Sequence, residues 1–117
     1  MPASDEFPRG VTLQSINGSG SAASVAFPSF AGSWVITDVS GKVANEAGSF
    51  IAQVWDNYSR NYLLFATVAG TGTSPVLDSQ SWTGKVIYPY GVGPTFAYNV
   101  ALAAGSYEQL WVAGYPI

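Results

Sequence analysis

A chain of 117 residues with only eleven charged side chains, no histidine and no cysteine lacks most of the groups that do chemistry in proteins. Without histidine there is no usual general base and no commonest metal ligand; without cysteine there are no disulfides, no thiolates and no structural zinc. The four cations, Arg9, Lys42, Arg60 and Lys85, are scattered through a chain of net charge −3, too few to neutralise a run of phosphates, so nucleic acid is excluded as a partner.

What remains is apolar. Hydrophobic residues make up 48% of the chain, enough for one domain to bury a core. Charged residues make up 9%, against roughly 25% in an ordinary soluble protein. A surface built from Ser, Thr, Asn, Gly and apolar groups repels its neighbours weakly and suits an assembly.

Residues 1–9 read as an extended arm, because Pro2 and Pro8 block helix and Asp5 and Glu6 favour water. Phe7 is its one aromatic residue and a candidate contact with a neighbouring subunit. The acidic start MPASDEFPRG is not a secretory signal, and no stretch has the length of a membrane span. The expectation is a protein made in the cytoplasm, leaving it, if at all, by a route such as lysis.

Residues 10–117 read as a single β domain. GVTLQSIN alternates, NGSGS turns, and AASVAF is a short strand broken at Pro28 and Gly32. WVITDVSGKVAN (34–45) alternates Val35, Thr37 and Val39 against Trp34, Ile36 and Asp38. A carboxylate in that phase marks an edge, a bend or a strand end. EAGS is predicted to turn the chain. SFIAQVWDNY and NYLLFATV form a hairpin about DNYSRN, with Phe50, Ala52 and Val54 opposed to Ile51, Gln53 and Trp55, and Leu63 and Phe65 opposed to Tyr62 and Leu64. Both faces of this hairpin are largely apolar, which places it centrally in a sandwich or at a subunit contact. AGTGTSPVLDS (69–79) is predicted as a loop, SWTGKVIYPY as a strand ending at Pro89, GVGP as a turn, TFAYNVALA as a strand, and QLWVAGYPI as the last. About eight strands separated by turn signals predict an antiparallel β-sandwich, jelly-roll-like or Ig-like.

No catalytic set emerges, and the chain reads as non-enzymatic with no cofactor and no metal. Asp38, Glu46, Asp56, Asp78 and Glu108 could supply a hydrolase pair only if the fold forced two together, and each reads as a solvated residue at a turn or strand end. DNYSRN offers Asp and Asn oxygens that calcium could use, but a polar hairpin tip needs the same letters.

The 17 aromatic residues are the remaining feature. Trp34, Trp55, Trp82 and Trp111 lie on predicted strands, where rings are usually core or cross-strand pairs. Trp55, Tyr58 and Tyr62 about the hairpin, Tyr88 and Tyr90 flanking Pro89, and Tyr115 near the C-terminus are the candidate contact residues. Rings at turns serve either a protein interface or a sugar platform.

SVAFPSFAGSWVITDVSGKVAN (24–45) and VALAAGSYEQLWVAGYPI (100–117) resemble segments of small β-sandwich accessory proteins from the virions of tailed bacteriophages. The resemblance implies a structural role in the virion: capsid decoration, or a tail, fibre or connector part, working as a homo-oligomer docked on other virion proteins. The alternative is a lectin-like carbohydrate-binding module using surface Tyr and Trp, with surface glycans as its partners. A small carboxylate-dependent hydrolase ranks third.

Overall fold

A computed structural model describes residues 11–17, 23–99 and 107–117. The arm at 1–9, Phe7 included, and the second half of TFAYNVALA lie outside the described residues.

The chain is all-β and antiparallel, with six strands among the described residues: β1 (Val11–Asn17), β2 (Ser24–Ala26), β3 (Trp34–Asp56), β4 (Asn61–Ile87), β5 (Thr95–Tyr98) and β6 (Tyr107–Pro116). The ladders run β1-β6-β3-β5-β2, with β4 also on β3. Two strands are far longer than usual. The first half of β3 pairs with β6 and with the end of β4, from Val35↔Ile87 to Asn45↔Val76. Its second half pairs with β5 and with the start of β4, down to Trp55↔Asn61. β3 and β4 therefore pass through both layers of a β-sandwich.

This is how eight predicted strands become six. EAGS does not turn the chain; it lies within β3, and AGTGTSPVLDS lies within β4. The pairing register slips between Asn45 and Ala47 and between Gly48 and Phe50, so the ladder bends through these segments instead of ending. Bulges of this kind re-aim a strand while keeping most of its hydrogen bonds.

A slip between Ile36 and Asp38 also resets the alternation of β3. Ile36 and Val39, predicted on opposite faces, both enter the core, because Thr37 and Asp38 occupy the irregularity between them. Asp38 marks the bend as its charge requires, accepting from the Thr37 hydroxyl at 2.8 Å and the Thr83 hydroxyl at 3.2 Å.

The core lies between the layers. Ile36, Val39, Val43, Leu110 and Val112 come from one layer; Ala52, Val54, Leu63, Phe65, Phe96 and Tyr98 come from the other. At Gly41 the layers approach closely. A methyl group there would press on the Tyr98 hydroxyl and sit 2.9 Å from Leu63 Cδ1. The absent side chain lets Tyr98 reach across and donate to the Gln109 carbonyl at 2.8 Å. Gly41→Ala should lower stability by about 2 kcal/mol, in the range for overpacking a filled core. In a urea titration, Tyr98→Phe added to Gly41→Ala should recover part of that loss, because it removes the clashing oxygen; a further additive loss would show that Gly41 is not held by Tyr98.

Candidate functional site

The hairpin tip is built around one buried carboxylate. Asp56 continues the inward phase of Ala52 and Val54 and is 7% exposed. Its Oδ1 accepts from the backbone N–H groups of Tyr58 and Arg60, each at 2.8 Å, and so closes the turn from inside. The backbone completes the closure with Asp56 N–H to the Arg60 carbonyl at 3.0 Å and Ser59 N–H to the Asp56 carbonyl at 3.2 Å; Ser59 takes the left-handed conformation, φ 62°.

Oδ2 faces the tyrosines. The Tyr88 hydroxyl donates to it at 2.5 Å, and the Tyr62 hydroxyl lies 2.7 Å from that of Tyr88 and 3.3 Å from Oδ2. Because Tyr88 has one proton and gives it to Asp56, Tyr62 donates to the Tyr88 oxygen. Burial, then the bonds to Asp56 and Tyr62, hold the Tyr88 phenol far above its ordinary pKa, so it stays a donor. Arg60 reaches Oδ2 at 3.7 Å from a half-exposed position, and its guanidinium lies 5.5 and 5.2 Å from the Tyr58 and Tyr88 ring centroids.

The predicted contact residues therefore divide. Tyr88 is 1% exposed, a core residue and not a rim one, because it is needed to satisfy Asp56. Tyr62 does not share the outer face with Leu64. The register slips between Val54↔Leu63 and Trp55↔Asn61, leaving Tyr62 as the extra residue, turned towards Trp82, Phe96 and Tyr88. Trp55, Tyr58 and Tyr90 are exposed, and Tyr115 is half-buried on β6 opposite Val35. Asp56 and Glu108 are buried, against the expectation of solvated acids. Asp56, the one acid of the tip, has its oxygens committed to N–H and O–H donors, and the amide oxygen of its neighbour Asn57 accepts from Thr95 N–H at 3.2 Å, so these oxygens serve the turn. Among the described residues no group of three acids forms a metal cluster.

On the outer face of the same hairpin, Ile51 (62% exposed), Trp55 (38%) and Leu64 (47%) form one apolar patch. Ile51, Gln53 and Trp55 alternate outward along β3, and Leu64 stands opposite Gln53 on β4. Trp55 also borders a groove of about 260 Å³ with Asn57, Thr95, Ala97, Tyr98 and Asn99. The Trp55 indole N–H donates to Gln53 Oε1 at 3.1 Å, and Asn99 Oδ1 accepts from Gln53 N–H at 2.8 Å.

A second groove, about 350 Å³, lies on the outer face of the other layer, lined by Ser40, Gly41, Lys42, Ser79, Gln80, Ser81 and Trp111. The sequence reads Trp111 as a core ring or a cross-strand pair, and the structure places it in cross-strand register with Ser40 on the outer face. The signal against a core ring was its phase: Trp111 alternates with Leu110 and Val112 and falls in step with Gln109.

No family model matches the chain, and no curated protein matches it. Among solved structures it is similar to one described as "CBM4 structure and function", at 14% identity and a TM-score of 0.36, over 89% of this chain and 94% of that one.

Proposed function

We propose that the protein is a non-enzymatic structural module that works by assembly, docking through the outer face of the β3–β4 hairpin on copies of itself and on a larger particle. The observation that carries this reading is the patch of Ile51, Trp55 and Leu64, three large apolar side chains left in water on a firmly locked hairpin. Burying each would gain about 1.5–3 kcal/mol for a full side chain and less for these partly covered ones. Such a cluster is the anchor of an interface, with the low-charge surface around it as rim. The particle we propose is a tailed-bacteriophage virion; what supports it is the resemblance of segments 24–45 and 100–117.

The test is light scattering across a dilution series. The wild-type chain should form a defined oligomer, and Ile51→Ser with Leu64→Ser should weaken it by at least tenfold while leaving the thermal midpoint nearly unchanged. A wild-type monomer at every concentration would defeat self-assembly.

The second reading is glycan binding at the groove beside Trp55, where an exposed indole stands next to the side-chain amides of Asn57 and Asn99. Trp55→Ala should abolish binding of those array glycans that dock in this groove; a wild-type chain that binds no glycan removes this reading and leaves the first intact.

A further inference from the structure

The groove around Trp111 differs in kind from the hairpin patch. Cross-strand register sets its residues in rows across three strands. Trp111, Ser40 and Ser81 form one row; Gln109, Lys42 and Ser79 form the next. Inward side chains alternate with these, Val39 and Val43 on β3 and Leu110 and Val112 on β6, so the rows belong to the outer face. Neighbours within a row are about 5 Å apart and successive rows about 7 Å apart. The result is a flat floor with one indole, a set of hydroxyls, and one ammonium a single row from the ring.

Each element specifies part of a ligand. An indole flanked by hydroxyls suits a molecule with an apolar face and a polar rim. Serine hydroxyls donate and accept, so they match other hydroxyls and discriminate little between them. Among the described residues Lys42 is the one charged residue lining the groove, and no carboxylate lines it. Glu108, adjacent on β6, points inward and is fully buried, and Asp38 is bonded to Thr37 and Thr83. An ammonium with no carboxylate among these described lining residues favours an anion on the ligand's rim.

We propose that this face binds an acidic saccharide: a pyranose stacked on Trp111, its hydroxyls met by Ser40, Ser79 and Ser81, and its carboxylate by Lys42. The site is separate from the groove beside Trp55, which has no cation among its described lining residues.

Titration followed by amide and indole NMR tests it, with trigalacturonate as the acidic probe and galactotriose as the neutral one. The Trp111 indole N–H and the Ser40 and Ser81 amides should shift with trigalacturonate and respond about tenfold more weakly to galactotriose, a tenfold change being about 1.4 kcal/mol. Lys42→Gln should bring trigalacturonate down to the neutral affinity. Trp111→Ala should remove both responses with the Trp34 and Trp82 signals unmoved. No shift at Trp111 at millimolar sugar, equal response to both probes, or shifts confined to Trp55 would each overturn the proposal. The last outcome would leave glycan binding at the hairpin standing.

Discussion

Asp56→Ala will lower the unfolding free energy by about 3–4 kcal/mol, the largest single loss expected in the chain, because it strands one buried and two part-buried donors at once. The Tyr58 and Arg60 N–H groups and the Tyr88 hydroxyl would all lose their acceptor, and the Tyr62 hydroxyl would lose the arrangement that orients it. Arg60→Ala should cost under about 1 kcal/mol, although it removes the formal ion pair. That contact is 3.7 Å and half-exposed, and such pairs contribute little. Tyr88→Phe should fall between, at about 2 kcal/mol, the value of a hydrogen bond to a charged group. Urea unfolding of the three variants gives the ranking. A loss at Arg60→Ala as large as at Asp56→Ala would mean that charge pairing and not hydrogen bonding holds the hairpin tip.

Glu108→Gln should change the pH dependence of stability. Glu108 is 0% exposed; its Oε1 accepts from Ala23 N–H at 3.2 Å, and its Oε2 has no hydrogen-bond partner among the described residues. Burial raises its carboxyl from 4.5 to about 7, against the small opposing pull of the Ala23 bond. The described groups that face it are Tyr98, whose phenol is in turn pushed up by burial and by the Glu108 charge, and Ala23. Neighbouring Lys42 stands on the opposite face of β3. Because the folded-state value is the raised one, the native chain holds a proton that the unfolded chain has lost between pH 4.5 and about 7. The stabilisation from the protonated carboxyl is complete below 4.5 and disappears as pH rises through about 7. The difference in stability between wild type and Glu108→Gln should therefore shift by about 3 kcal/mol in favour of the variant between pH 4.5 and 8. Comparing the two chains cancels the other carboxylates. A difference that stays flat across that range would mean Glu108 is ionised in the native state throughout.

Both of these acids were legible in principle. Asp56 continues the spacing of Ala52 and Val54, and Glu108 the spacing of Leu110 and Val112, so alternation points both inward. The general tendency of carboxylates to lie in water overrode that phase. The sandwich, the hairpin about DNYSRN and the bend at Asp38 followed from apolar alternation and turn chemistry, because there local preference and tertiary demand agree. EAGS and AGTGTSPVLDS misled because Gly, Ser and Thr suit loops and bulged strands equally; only the pairing partner decides, and it lies far away in the chain. Tyr62 was misplaced for a related reason, since a single slipped residue reverses the face of a side chain.

The shared β3–β4 ladder has a consequence for how the molecule comes apart. Two layers joined only by loops could open like a book, one sheet melting while the other persists. Here a strand pair runs from Val35↔Ile87 through both layers to Trp55↔Asn61, so separating the layers means breaking strands in their middle. The pair is also closed by a four-residue tip, which makes it the cheapest long structure for the chain to form first, since each successive rung closes only a small additional loop. Native-state hydrogen exchange should then find the β3 and β4 amides near the tip and in both layers opening together, as one cooperative unit, with β1 and β2 at the sheet edges exchanging ahead of them.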